Sequence, residues 1–189
     1  MENKTDYDVL LAILKKRLNE KRYYHSLCVA DEAKRLAVKY GADPEKAYLA
    51  GLLHDITKNA PDEEHLKIFK DFGIILSDVE KNAKKLWHAM SGAAYVKHIL
   101  GINDPEIIDA IRYHTTAKAD MSLLAKILYL ADFTSADRDY EDVDVIREYV
   151  DISLEKAFIY ALQYSIKDLV DLKKAVHIDT VAAYNQAVL

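Results

Sequence analysis

The chain has few residues that cross-link or interrupt a fold, and each shortage excludes a class of structure or function. Its 189 residues include a single cysteine, Cys28, which excludes an intramolecular disulfide framework and fits a reducing compartment. Its 26 basic residues are outnumbered by 31 acidic ones, so the basic surface typical of nucleic-acid-binding proteins is not expected. No apolar run reaches membrane-spanning length, and the first residues, MENKTDYD, lack the apolar stretch of a signal peptide. We therefore expect a cytoplasmic protein that binds neither membranes nor nucleic acid.

Only five glycines and three prolines are present, so their positions indicate where helices begin and end. Asp43-Pro44 and Asp104-Pro105 are typical of an N-cap followed by the first helical residue. Ser77 and Glu80 have the spacing of a capping box. Three glycines follow apolar-periodic segments, where helices commonly end: Gly41, Gly73 and Gly101.

Between these marks the apolar residues recur at helical spacing, and no alternating strand pattern is found. The spacing predicts helices at 6–19, 22–40, 44–56, 62–72, 78–86, 89–100, 104–114, 121–134, 142–149, 152–171 and 179–188. Because there is no internal repeat or long linker, we expect one all-α domain over residues 1–189. Its core would lie at about 20–140, with C-terminal helices over 142–189 packed on it.

Several predicted helices carry a possible metal ligand within an apolar stripe. Asp132 lies one turn after Leu128 on the stripe of the helix at 121–134, and His114 follows Ile111 on the helix before it. An ionised carboxylate buried without a partner is very costly, so Asp132 requires a cation. The remaining residues of this kind are His25 on the helix at 22–40, His54 and Asp55 at the end of the helix at 44–56, and His88 at the start of the helix at 89–100.

A lone histidine in an apolar stripe is most often a hydrogen-bonded core residue. We keep that interpretation for His65, His98 and His177, which are therefore not expected to be metal ligands. Four histidines and two carboxylates in such positions are explained together by one shared cation. Imidazole and carboxylate ligands without a cysteine cluster favour Fe, Mn, Co or Zn over a structural thiolate zinc site. A structural helical bundle with buried His–Asp pairs is the alternative.

The order of these residues resembles a known family. His25, the pair His54-Asp55 and then Asp132 follow the H…HD…D pattern of the HD-domain metal-dependent phosphohydrolases. Six segments together resemble the YqeK-type symmetrical diadenosine tetraphosphate hydrolases of bacteria: RYYHSLCVA, AGLLHDITK, LWHAMSGAAYV, AIRYHTTA, MSLLAKILYLADFTSADR and DTVAAYN. The similarity extends from about residue 20 to residue 186.

The resemblance implies an all-α HD-domain bundle that splits diadenosine tetraphosphate at its centre into two ADP. ADP or another purine diphosphate would then be the bound product. It implies core metal ligands at His25, His54, Asp55 and Asp132, with iron as the expected metal. His88 and His114 match further family histidines, which would bind a second ion bridged by Asp55 or contact the substrate phosphates.

Hydrolysis of a phosphoanhydride requires neutralised phosphate charge and an activated water. Asp55 would orient that water and accept its proton, besides holding metal. Further expected substrate contacts are Lys58, Arg22 and Arg138 on the phosphates, a hydroxyl hydrogen bond from Thr115, and a nucleoside pocket near His177 and Thr180. Of these cations, Lys58 is also assigned to catalysis.

Two other functions remain open from the sequence. One is a different phosphohydrolase on the same frame, such as a nucleotidase or a cyclic-nucleotide phosphodiesterase. The other is a nucleotide-binding regulatory module that keeps the metal and turns nothing over. A homodimer is compatible with the family, although no coiled-coil seam is found in the sequence.

Overall fold

A computed structural model describes residues 6–189, and in this range it contains α-helices, one 3₁₀ turn and no strand. The helices are α1 Tyr7–Arg17, α2 Glu20–Tyr40, α3 Pro44–Leu53, α4 Asp62–Asp71, α5 Asp78–Asn82, α6 Trp87–His98, α7 Pro105–Tyr113, α8 Leu123–Thr134, α9 Val143–Ile152, α10 Leu154–Asp171 and α11 Ile178–Val188. The predicted all-α class is confirmed.

The helix boundaries marked by proline, aspartate and glycine are where the sequence predicts them. Asp43 accepts hydrogen bonds from the backbone N–H groups of Glu45 and Lys46 at 2.9 and 3.1 Å, and Asp104 caps α7 in the same way. Gly41 ends α2 with φ of 78°, a left-handed conformation that a side chain would disfavour. These local signals fix the starts of α3 and α7 and the end of α2, three of the helices that carry or precede candidate ligands.

Helix α3 is shorter than predicted, since it ends at Leu53 rather than at residue 56. The chain continues in tight turns, in which the N–H of Lys58 donates to the carbonyl of Asp55 at 2.8 Å and the N–H of Ala60 to that of Thr57 at 3.0 Å. The His54-Asp55 pair therefore lies just beyond the helix, in a turn whose backbone hydrogen bonds are made locally.

The predicted helix at 78–86 is broken into α5 and the 3₁₀ turn Lys84–Leu86. The indole N–H of Trp87 donates to the carbonyl of Glu80 at 2.8 Å and so occupies an acceptor that a continuing helix would use. Helix α6 then begins at Trp87, two residues earlier than predicted, and His88 lies within its first turn.

Close packing of α2 against α3 brings the first two histidine-bearing segments together. At Gly51 an added Cβ would lie 2.7 Å from the Cα of Ala30, so glycine is required for this approach. Helix α2 also packs on α8, and α7 packs on α3, α6 and α8. The ends of these helices converge on one buried point.

The C-terminal helices extend this core. Helix α10 packs against α8, α9 and α11, and its buried residues Phe158 and Leu162 belong to the main hydrophobic cluster. Within the range 6–189, none of the helices has the length and apolar character needed to cross a membrane.

Candidate metal centre

Six candidate ligands from five helical segments meet at one place. His25 comes from α2, the pair His54-Asp55 from the turn after α3, and His88 from the first turn of α6. His114 directly follows α7, and Asp132 lies in the last turn of α8. All four histidines and Asp55 are buried, while the side chain of Asp132 is 18% exposed. The structure thus brings together the whole set predicted from the apolar stripes.

Asp55 lies at the middle of this cluster. Its Oδ2 atom is 3.6 Å from Nε2 of His54 and 4.0 Å from Nε2 of His25. Its Oδ1 atom is 3.1 Å from Nε2 of His88 and 3.7 Å from Nε2 of His114. One carboxylate is therefore within reach of four imidazoles.

Asp132 contacts the cluster from the other side, with Oδ1 at 3.0 Å from Nε2 of His25 and 3.9 Å from Nε2 of His54. Three overlapping triads have all their ligand atoms within 4.8 Å of one another: His25, His54 and Asp55; His54, His114 and Asp132; and Asp55, His88 and His114. These separations are those of groups that share a coordination centre.

Backbone carbonyls fix the ring orientation of two of the histidines. The Nδ1 atom of His54 is 2.7 Å from the carbonyl oxygen of Gly51, and Nδ1 of His114 is 2.7 Å from that of Ile111. A carbonyl can only accept, so Nδ1 carries the proton in both rings. Their Nε2 atoms are left as acceptors that point into the cluster, as metal ligation requires.

A carboxylate does the same for His25. Its Nδ1 atom lies 2.8 Å from Oδ2 of Asp137, and Oδ1 of Asp137 accepts a hydrogen bond from the Ser135 hydroxyl at 2.8 Å. With the proton held at Nδ1, the Nε2 atom of His25 is a hydrogen-bond acceptor. It faces Oδ1 of Asp132, which is also an acceptor. Two acceptors at 3.0 Å are compatible with a cation that both bind.

Several buried atoms of the cluster lack a hydrogen bond to any described residue. They are Nε2 of His25, Nε2 of His54 and Oδ1 of Asp55. A buried polar atom without a partner is costly, and three at one point are rare in a native protein. A bound cation would satisfy them, so the donor set fits a metal ion.

The charge states also suit a metal. Burial lowers the pKa of His54 to about 3 and that of His88 to about 4, so both rings are neutral near pH 7. Burial alone would raise the pKa of Asp55, but the neighbouring rings of His54, His114 and His88 outweigh it and hold the pKa well below its usual value. Neutral imidazoles and an ionised carboxylate are the forms that bind metal.

Three basic side chains surround the carboxylates. Nη1 of Arg22 is 2.9 Å from Oδ2 of Asp55, and Nζ of Lys58 is 3.6 Å from Oδ1 of the same residue. Arg138 pairs with Asp132 through Nη2 and donates from Nε to its backbone carbonyl. All three are partly buried at the edge of the cluster, where an anionic ligand would be attracted.

The other predicted substrate contacts, Thr115, His177 and Thr180, have different surroundings. The Thr115 hydroxyl, beside His114, is buried without a hydrogen bond to a described residue. His177 caps α11 and lies 3.5 Å from Glu80, and the Thr180 hydroxyl donates to the carbonyl of Thr116 at 2.7 Å. Within residues 6–189, no hydrogen bond or ion pair joins His177 or Thr180 to the cluster, and their assignment to a nucleoside pocket stays a prediction.

Two other histidines have ordinary structural contacts. Nδ1 of His65 is 2.7 Å from the Ser91 hydroxyl, and His98 stacks on Phe72. Asp137 is the residue that sequence reasoning missed. It lies in no apolar stripe and follows Asp132 by five residues, so its only signal was its place in the segment ADFTSADR.

Comparison with known proteins agrees with this geometry. A family model described as the HD domain matches residues 22–137. A protein from Bacillus subtilis named symmetrical bis(5'-nucleosyl)-tetraphosphatase is 36% identical to this chain, over 93% of this chain and 94% of the relative. A protein of the same name from Halalkalibacterium halodurans is also 36% identical, over 95% of each chain. A crystal structure from Clostridium acetobutylicum, described as a predicted HD superfamily hydrolase involved in NAD metabolism, is 38% identical with a TM-score of 0.94 over 98% of both chains. The chain therefore belongs to the HD-domain family.

Proposed function

We propose that this protein hydrolyses diadenosine tetraphosphate at its centre, giving two molecules of ADP, with the help of a metal bound by the six-residue cluster. The observation that carries the proposal is the set of buried, unpartnered ligand atoms on His25, His54 and Asp55. The relatives in B. subtilis and H. halodurans, which match nearly the whole chain, are named for symmetrical cleavage of such a substrate.

His25, His54, Asp55 and Asp132 would hold the metal. Iron is the proposed ion, and Mn, Co and Zn suit the same imidazole and carboxylate ligands. His88 and His114 reach the opposite oxygen of Asp55, where they would hold a second ion or contact phosphate. A metal bound here supplies charge neutralisation and a water of lowered pKa.

Asp55 has two different carboxylate oxygens. Arg22 holds Oδ2 at 2.9 Å, whereas Oδ1 is buried without a hydrogen bond to a described residue. The Arg22 contact restricts rotation of the carboxylate and leaves Oδ1 available to orient a water molecule and accept its proton. Asp55 is therefore assigned both to ligation and to general-base catalysis.

Lys58, Arg22 and Arg138 would bind the phosphates. The chain as a whole carries a net charge of −5, so local cations have to attract a polyanionic substrate. The two guanidinium groups can contact phosphate through paired N–H groups, and Lys58 offers a point charge beside His88, 3.0 Å away. The Thr115 hydroxyl is available to donate to a further phosphate oxygen.

Separation of the products by chromatography tests the reaction. Tag-free protein supplied with diadenosine tetraphosphate should release ADP only, two molecules for each substrate consumed. Release of AMP with ATP would contradict symmetrical cleavage. Rapid hydrolysis of a mononucleotide with no turnover of the dinucleotide would favour the nucleotidase alternative, and binding without any turnover would favour the regulatory module.

A further inference from the structure

A cavity of about 260 Å³ opens directly beside the metal-binding cluster. Its walls are Asp132, Phe133, Arg138, Tyr140 and Tyr164. Two of these residues, Asp132 and Arg138, also belong to the candidate site, so the cavity is continuous with it. Pockets that enclose a whole drug-sized ligand measure roughly 300–1,000 Å³, so this one suits a single flat ring system rather than a dinucleotide.

We propose that this cavity binds the adenine base of one half of the substrate, and of the ADP product, by stacking on Tyr164 and its aromatic neighbours. The inference rests on the proposed function for the identity of the ligand. The substrate carries two adenosines, and the cavity accounts for one of them.

The aromatic walls are held in place by contacts that leave room for a planar guest. The Tyr140 hydroxyl donates to the carbonyl of Phe133 at 2.9 Å, which fixes the Tyr140 ring. The Tyr164 ring meets Phe133 at 88° with centroids 6.4 Å apart, and meets Tyr140 at 45° and 5.5 Å. Neither contact is a parallel stack, so a base can stack on a ring without displacing another ring.

The charges around the cavity would orient the bound nucleotide. Arg138 stands at the end shared with Asp132 and the metal-binding cluster. Tyr164 has acidic neighbours: burial raises the pKa of its hydroxyl, and Asp168, Asp142 and Glu141 raise it further. The negative charge near Tyr164 would repel phosphate and the Arg138 guanidinium would attract it, so the phosphates would point toward Arg138 and the base toward Tyr164.

Direct binding measurements on the metal-loaded protein test this orientation. ADP is the expected product, so its affinity can be measured by calorimetry without turnover, and inorganic pyrophosphate provides a probe without a base. In Tyr164→Leu the dissociation constant for ADP should rise about tenfold, the loss expected for one base–aromatic stack, while that for pyrophosphate changes less than about twofold. Tyr164→Phe should restore ADP binding.

Tyr160→Leu is the matched control. Tyr160 lies one turn earlier on α10 and packs against Tyr149 with ring centroids 5.2 Å apart, and it does not line the cavity. It should leave both affinities unchanged. An equal loss of ADP and pyrophosphate affinity in Tyr164→Leu, or unchanged ADP affinity in a folded Tyr164→Leu protein, would overturn the proposal.

A second measurement needs no variant. In saturation-transfer NMR with the wild-type protein, the adenine H2 and H8 protons of ADP should receive more saturation than the ribose H1′ proton, and the reverse order would count against a buried base. The outcomes also separate the two proposals. Hydrolysis with no effect of Tyr164→Leu rejects the cavity alone, whereas selective loss of ADP binding in a protein without hydrolysis rejects the reaction alone.

Discussion

The Nδ1 atom of His25 lies 2.8 Å from Oδ2 of Asp137, five residues beyond the candidate ligand Asp132. His54 and His114 instead have their Nδ1 atoms oriented by backbone carbonyls of their own turns. His25 lies within α2, where such a carbonyl is already used by the helix, so a carboxylate from another segment orients its ring. The chain thereby ties the loop after α8 to the first histidine of the cluster.

Asp137→Asn should weaken metal retention. The amide keeps the shape of the carboxylate but removes the negative charge that makes the imidazole a stronger ligand, and changes of this kind typically cost about 10- to 100-fold in metal affinity. The measurement is the competition of a chelator with the bound metal, followed by elemental analysis. Asp139→Asn, at an exposed position two residues away, is the control and should behave as wild type. Equal metal retention in the two variants would show that Asp137 has no part in ligation.

Lys58→Ala should separate metal binding from catalysis. Its Nζ atom lies 3.6 Å from Asp55 and 3.0 Å from His88, but it is assigned to phosphate and not to metal. Loss of one positive charge at the phosphates should lower kcat/KM by about a hundredfold while the metal content stays constant. Lys67→Ala removes an exposed lysine of α4 and should change neither quantity. A metal-depleted Lys58→Ala protein would contradict this division of roles.

Gly51→Ala should destabilise the fold. A Cβ there would lie 2.7 Å from backbone atoms of Ala30, so α2 and α3 would have to separate, at a cost of about 1–3 kcal/mol that exceeds the gain in helix propensity. Urea unfolding measures the difference. Gly92→Ala is the matched comparison, since a Cβ there would make contacts of 3.5 Å, which are ordinary van der Waals distances. Its stability should equal or exceed that of wild type, and a Gly51→Ala protein of equal stability would show that the helices adjust freely.

Local chemistry explains how much of this arrangement the sequence predicts. Asp43 and Asp104 cap their helices through hydrogen bonds that span at most three residues. The start of each of these helices is therefore encoded by residues adjacent to it in the sequence. The continuous apolar stripes likewise place His114 and Asp132 on buried faces. Burial and side-chain type therefore identify the cluster, while its four-histidine arrangement around Asp55 requires the tertiary fold.

Contacts between distant segments are what the sequence does not supply. Asp137 meets His25 across 112 residues, and Tyr164 meets Phe133 only because α10 packs on α8. The 13 tyrosines have no periodic pattern that distinguishes cavity walls from half-buried helix faces. The break between α5 and α6 has the same origin, since it depends on the indole of Trp87 reaching the carbonyl of Glu80.

We expect a metal ion to hold the buried imidazoles and carboxylates together. The decisive experiment is elemental analysis of wild-type and Asp55→Ala protein, both purified without a His-tag or added metal. Circular dichroism would first establish that the variant is folded, because removal of a buried charge can itself destabilise the core. We expect at least one equivalent of a transition metal in the wild type, with iron the proposed element, and loss of metal and turnover in Asp55→Ala. A wild-type protein that turns over diadenosine tetraphosphate without bound metal, or a folded Asp55→Ala protein that retains full metal, would contradict it.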